Sequence, residues 1–228
     1  AYATGPSNDK TNGIPGIAVR ITTKTTGVDY EGSFGPGINR LMVFAQDGDD
    51  DVRIGGRIEA LVFGGAGNDF LNGGSGNCVL VGGKGDDNIT SGSGRDILIG
   101  GNGIDRLVGT AGEQILIAGS TDFDVNPYAL MTLLAEWSSS RDVLSRVANL
   151  GGFGTGPRLN GMTFLKADSI SNGVLTHGTV HSDLDSDHLS TGGGINWVFL
   201  DVDGEPENLR DKFSGNSKEI LEDLDLIP

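Results

Sequence analysis

Between Gly64 and Val108 the chain spells one nine-residue phrase five times without losing register: GGAGNDFLN (64–72), GGSGNCVLV (73–81), GGKGDDNIT (82–90), SGSGRDILI (91–99) and GGNGIDRLV (100–108). A sixth, degraded copy, GTAGEQILI, follows at 109–117. The template is G-G-x-G-x-D-x-U-x, with U apolar. Its first six residues suit a turn, because the glycines permit positive φ and close backbone approach. The x-U-x that follows is long enough for a short strand whose middle residue points one way and its flanks the other. Two turns and two strands make an 18-residue coil, and such coils stack as parallel strands ~4.8 Å apart. The phase therefore predicts a mainly β chain: a parallel β-roll, or β-solenoid, of nine-residue repeats in 18-residue coils, with a small helical insertion after the roll. The coils align as Leu61–Cys78, Val79–Asp96 and Ile97–Gln114.

Folded this way, the repeat separates into distinct surfaces. Val62, Leu80, Leu98 and Leu116 point inward from one sheet, and Leu71, Ile89 and Leu107 from the other. That core is one aliphatic side chain thick per strand. The outer flanks of one sheet (Phe70, Asn72, Asn88, Thr90, Arg106, Val108) are mostly wettable. Those of the other (Leu61, Phe63, Val79, Val81, Ile97, Ile99, Ile115, Ile117) form an apolar wall that needs a cover.

The two turn edges also differ. One carries Asp69, Asp87 and Asp105 at intervals of 18, so their carboxylates stack. Asp50 is expected on the next rung, with a two-residue insertion before Leu61 disturbing the count. The opposite edge reads Ala60, Cys78, Asp96, Gln114 and keeps a single acid. Carboxylates ~5 Å apart repel by roughly 1 kcal/mol in water and several at an effective dielectric near 20. The acidic edge thus calls for cations. Calcium fits, taking six to eight oxygens from carboxylates and exposed carbonyls, whereas zinc wants nitrogen or sulfur. The expectation is several Ca2+ ions on the Asp50–Asp105 edge and a largely metal-free opposite edge. The alternative is a metal-free solenoid with Asp/Gly turns.

Glycine is the compositional outlier, at 39 of 228 residues against a usual ~7%. Net charge is −15, which argues against nucleic acid and anionic membranes as partners. Cys78 is the single cysteine, so no internal disulfide forms, and it reads as a small core hydrophobe. No run approaches the ~20 apolar residues of a membrane span. With neither an initiator Met nor a leader, Ala1 is expected to open a processed chain or a piece of a longer one.

Around the roll (46–120) the chain divides into irregular N-terminal coils (1–45), a helical cover (121–152) and a C-terminal β region (153–228). Strands are expected at Ile17–Thr23 and Leu41–Phe44. Asn126-Pro127 starts a helix with Leu130, Leu133, Leu134 and Trp137 on one face. Ser139, with Asp142 three residues on, starts a second, with Val143, Leu144 and Val147 on one face and Gly151-Gly152 at its end. This pair is the expected cover, or else a docking surface for a partner. Asn160-Gly161 suggests a hairpin turn. At 182–199 the phase returns as SDLDSDHLS and TGGGINWVF, which places Asp187 at the metal position and Asn196 at its counterpart. The Asp183-x-Asp185-x-Asp187 run lacks the glycine and the final Glu of an EF-hand loop. The acidic tail suggests a short helix at Ser217–Leu224.

At these repeats the chain resembles the RTX haemolysin-type calcium-binding β-roll, over Gly64–Val108 and more weakly over Leu41–Ile117. Ala118–Phe199, with its ALMTLLAEW, RVANL, GPRLNG and GGGINWVF runs, resembles the C-terminal portion of large secreted or surface proteins of Planctomycetes-like bacteria. The resemblance implies extracellular location, calcium-dependent folding and ligands at Asp69, Asp87, Asp96 and Asp105, more weakly at Asp50 and Asp187. Cys78 and Gln114 depart from the pattern. Catalytic signatures are missing: there is no H-E-x-x-H around His177, His181 and His188, and no G-x-S-x-G. The expectation is a non-catalytic calcium-binding module of a secreted or cell-surface protein. The alternatives are a self-assembling surface-layer, matrix or filament subunit, or a carbohydrate-binding accessory module of a larger enzyme. An uncovered wall would favour assembly with a second copy or another surface protein. An aromatic platform at Trp137 or Trp197 would favour sugar.

Overall fold

The computed structural model describes residues 17–23, 29–34, 38–167, 169–171, 174–201, 210–215 and 219–223. Strands are numbered in chain order. In the first sheet, β3 (Arg40–Asp47), β5 (Glu59–Ala66), β7 (Cys78–Lys84), β9 (Asp96–Asn102), β11 (Gln114–Ile117), β17 (Trp197–Leu200) and β19 (Ile220–Asp223) lie side by side, all parallel. In the second, β4 (Asp50–Ile54), β6 (Phe70–Asn72), β8 (Asn88–Thr90), β10 (Arg106–Val108), β16 (His188–Ser190) and β18 (Lys212–Ser214) do the same. The chain alternates between the sheets at every turn, which makes a parallel β-roll. Its core follows from the eighth residue of each repeat. Val62, Leu80, Leu98 and Leu116 stack in register, as do Leu71, Ile89 and Leu107, and all are fully buried in one cluster.

The roll extends past the phased repeats at both ends. Arg40–Asp47 is already a rung of the first sheet, so the stretch before residue 46 is not all irregular coil. β1 (Ile17–Thr23) and β2 (Asp29–Phe34) form an antiparallel hairpin, with β1 antiparallel to β4, at the end of the second sheet. Residues 1–16 lie outside the described residues. Val43 pairs with Val62 but Leu61 pairs with Val79, so the early coil is one residue longer than the rest, not two. At the far end 182–199 rejoins the stack: Leu189 sits beside Leu107, and Val198 beside Leu116. A further coil follows. β18 pairs with β16 and β19 with β17, so Ile220–Asp223 is strand where a helix was expected, while Ser217 and Leu224 lie outside the described residues. Asp211-Lys-Phe213-Ser and Glu219-Ile-Leu221-Glu keep the D-x-U-x half of the template, or its homologue, without the glycines, and that half makes the strand.

Between β11 and β16 the chain leaves the roll to cover its apolar wall. Helix α1 (Pro127–Trp137) begins with Pro at its first turn and the Asn126 side chain accepting from Ala129 N–H. Helix α2 (Val143–Leu150) is capped by Asp142, whose carboxylate accepts from Ser145 N–H, rather than by Ser139. Leu144 points to solvent, while Val143 and Val147 are partly buried. Leu130, Leu133, Leu134, Trp137, Leu150, Leu165 and Val180 pack with Leu61, Val79, Val81, Ile97, Ile99, Ile115 and Ile117 in a second hydrophobic cluster. Trp137 and Trp197 are both buried there and offer no exposed platform. Asn160-Gly161 forms a turn, with Thr163 N–H donating to Asn160 O, but joins no strands. The local hairpin is instead β13 (Ser169–Ser171) with β14 (Val174–Thr176). β12 (Ser120–Thr121) and β15 (Val180–His181) close the base of the excursion.

Candidate metal centre

The sixth residue of alternate repeats opens each strand of the second sheet, and there the acids form one column. Asp69 Oδ1 accepts from Asp50 N–H at 2.7 Å, Asp87 Oδ1 from Asp69 N–H at 2.7 Å, and Asp105 Oδ1 from Asp87 N–H at 2.7 Å. The column then jumps the helical excursion. Asp187, 82 positions after Asp105, accepts from its N–H at 2.6 Å. Asp211 continues it, accepting from Asp187 N–H at 2.9 Å. The structure thus brings together Asp50, Asp69, Asp87, Asp105 and Asp187. It adds Asp211, whose signal was the D-x-U-x of its unit, and Asp183, which stands where other rungs have glycine and accepts from Gly103 N–H at 2.9 Å.

Asp211 spends both oxygens on backbone, its Oδ2 accepting from Asp201 N–H. In Asp69, Asp87, Asp105 and Asp187 one oxygen serves the backbone of the preceding rung and the other faces inward. Asp87 Oδ2, Asp105 Oδ2, Asp187 Oδ2 and both Asp50 oxygens are buried without a hydrogen-bond partner. The glycine beside them explains the space. A Cβ on Gly82 would land on Asp87 Oδ2 and the Gly100 carbonyl oxygen; one on Gly100 would land on Asp105 Oδ2 and the Ala118 carbonyl oxygen. A carboxylate and a main-chain carbonyl of the next rung thus share one cradle that any side chain would fill. Gly83 and Gly85, which shape this turn, take φ of +123° and +113°, while Gly92 and Gly94 on the opposite edge stay outside the left-handed region and Gly112, a rung further on that edge, is at +95°.

A buried oxygen left unpaired costs about 1–3 kcal/mol, and more when charged. A cation in the cradle removes that cost. Among the described residues no three His, Cys, Asp or Glu side chains converge, so the donor set is one carboxylate per rung plus carbonyls. An all-oxygen set of this kind fits calcium and suits zinc poorly. Two of the three histidines have neighbours of another kind: His181 pairs with Asp122, and His188 sits beside Lys212.

Burial, reinforced by neighbouring acids and opposed by the rung N–H groups, pushes the carboxyl of Asp87 up to about 7, that of Asp105 to about 8 and that of Asp187 to about 9. Burial likewise raises Asp50 and Asp211 to about 6. Folding raises these acids above their ordinary 3.8, so protonation stabilises the metal-free roll. That contribution is full below 3.8 and is lost as pH rises through about 6 to about 9. The melting point in chelator is therefore expected to fall from about pH 5.5 to about pH 8. With calcium present it is expected to hold or rise over the same range, because protons and calcium compete for the same oxygens. A metal-free melting point that climbs with pH would contradict the raised acids.

Asp96 lies on the other edge, apart from the column. Its Oδ1 accepts from Cys78 N–H at 2.8 Å, its Oδ2 is buried without a hydrogen-bond partner, and burial raises its carboxyl to about 7. Its neighbours do the same backbone task with other groups: Asn196 Oδ1 accepts from Gln114 N–H, and Glu219 Oε2 from Asn196 N–H. Cys78 is fully buried in the inner core, and burial pushes its thiol up to about 12.

Fold and cradles together define a class: a parallel β-roll whose turns present oxygen donors to cations. Residues 61–77, 79–107 and 99–122 match the family model of the RTX calcium-binding nonapeptide repeat, in four copies. The chain thus carries RTX repeats, and such repeats bind several Ca2+ ions along their length. The match ends at residue 122 and does not reach the cover or the coils beyond it. No curated protein and no solved structure matches the chain.

Proposed function

We propose that the chain is a non-catalytic calcium-binding module of a secreted or cell-surface bacterial protein, one that folds on calcium after export. The observation that carries this reading is the column of buried carboxylates, in which Asp69, Asp87 and Asp105 each commit one oxygen to the neighbouring rung and turn the second into a cradle beside Gly64, Gly82 and Gly100. Asp50, Asp69, Asp87, Asp105 and Asp187 hold the ions together with carbonyls such as Gly100 O and Ala118 O, and Asp96 is a lone site on the opposite edge. Extracellular modules bind calcium at about 10⁻⁴–10⁻³ M, so the roll stays open inside a cell and closes outside it.

Circular dichroism with sedimentation, in calcium and in EGTA, tests the reading. Each site contributes about 2.7 kcal/mol at a hundred times its Kd, so removal of several ions should unfold the roll and readdition restore it. A folded, unchanged monomer in EGTA would leave the cradles without a cation role.

A further inference from the structure

The outer face of the second sheet carries a run of charge that the metal column does not explain. Strand pairing sets Arg106 beside His188 and His188 beside Lys212, so three basic side chains stand on successive rungs ~4.8 Å apart. All three are exposed, Lys212 Nζ lies 3.4 Å from His188 Nε2, and among the described residues no carboxylate engages any of them. Arg40 and Arg53, elsewhere on the surface, pair with Glu59 and Asp51, while the exposed Arg57 and Lys84 stand singly rather than in a column. With 31 acidic residues against 16 lysines and arginines, a basic column that meets no carboxylate among the described residues is the opposite of what the composition supplies. Arg106 and Lys212 carry like charge on the same face two rungs apart, which an outside anion would offset.

The place is also shaped. Arg106, His188 and Lys212 line a cleft of about 220 Å³ together with Ser190 and Ser214, whose hydroxyls stand two residues along from His188 and Lys212. Acid-binding and hydroxyl-binding groups thus run in parallel columns along the stacking direction. An extended acidic peptide presents same-face side chains every ~6.6 Å, out of step with the ~4.8 Å rungs. A pyranose ring spans about one rung and carries both kinds of group.

We propose that Arg106, His188 and Lys212 form a binding column for a linear acidic polysaccharide, its sulfate or carboxylate groups on the cations and its hydroxyls on Ser190 and Ser214. The ligand lies on the outer face of the second sheet, away from the inward cradles, and its binding is weakened by salt as exposed ion pairs are screened.

The test uses the full chain in saturating calcium, with its fold followed by circular dichroism, so that a failure of calcium-dependent folding is seen separately. Isothermal titration with dextran sulfate should show salt-sensitive binding, and neutral dextran none. The R106Q/K212Q double variant should bind dextran sulfate roughly tenfold more weakly. An R40Q/R57Q variant of equal net charge should bind like the parent. Three results would overturn the proposal: no binding to dextran sulfate, equal binding by the two double variants, or polyglutamate binding as tightly as dextran sulfate. The last would point to an acidic protein instead.

Discussion

Asp87→Asn is expected to leave the calcium-free roll as stable as the parent, or more stable, while removing about 2.7 kcal/mol of calcium-dependent stability per lost site at a hundred times its Kd. The asparagine keeps an oxygen for Asp69 N–H, the bond that joins the two rungs. It loses the charge, and with it the burial cost that pushes the parent carboxyl up to about 7. Asp87→Ala loses both functions. It orphans a buried N–H and should cost a further ~1–3 kcal/mol with or without calcium. Urea unfolding in calcium and in chelator separates the two effects. Asp96→Asn is the comparison: Asp96 has no acid on the rungs either side, where Cys78 and Gln114 stand, so its calcium-dependent loss should be smaller. Equal losses at the two positions would erase the distinction between the edges. A loss for Asp87→Asn that is as large in chelator as in calcium would make the carboxylate a purely structural group.

That double duty marks where the linear sequence stops being readable. The period and its apolar eighth residue carry the roll, its core, the apolar wall and the amphipathic helix over it, because each follows from spacing within a few residues. The bond from Asp69 N–H to Asp87 joins residues 18 apart, and the one from Asp105 N–H to Asp187 joins residues 82 apart; no local pattern encodes either. Those bonds explain why Asn196 and Glu219 stand at the same position on the opposite edge. An amide or a longer acid can accept the rung N–H, so the place survives without an Asp there. Asp211 escaped notice because its unit has lost the glycines and sits 24 residues after Asp187, outside the period. The cap of α2 lies elsewhere for another long-range reason. Ser139, with Asp142 three residues on, reads as the helix start, but Arg95 reaches from the roll to hold Ser139 O at 2.7 Å, which pins Ser139 in the linker and leaves Asp142 to begin the helix.

The same linker sits beside the clamp that fixes the cover, and Trp137→Ala is expected to release it. The indole is fully buried, and its Nε1 donates to Glu113 O at 3.0 Å on a turn of the metal-poor edge. Arg146 stacks on the ring at 4.6 Å, donates to Trp137 O at 2.7 Å and pairs with the Glu113 carboxylate, so one side chain joins both helices to the roll. Removing the ring should cost about 3–5 kcal/mol. It also strips the buried Arg146 of its stacking partner. Tyr128→Ala on the same helix, at a side chain 79% exposed, should stay within about 0.5 kcal/mol of the parent. The strands beneath the cover, β7 and β9, lead into the turns that hold Asp87 and Asp105, so cover and cation stabilise opposite parts of the same coils. If the two act independently, Trp137→Ala melts in two steps. The cover opens first, baring Ile97, Ile99, Ile115 and Ile117 and driving self-association visible by sedimentation, while the later step still responds to calcium. A single transition that loses its calcium response would instead mean that the roll holds its cradles in shape only with the cover docked.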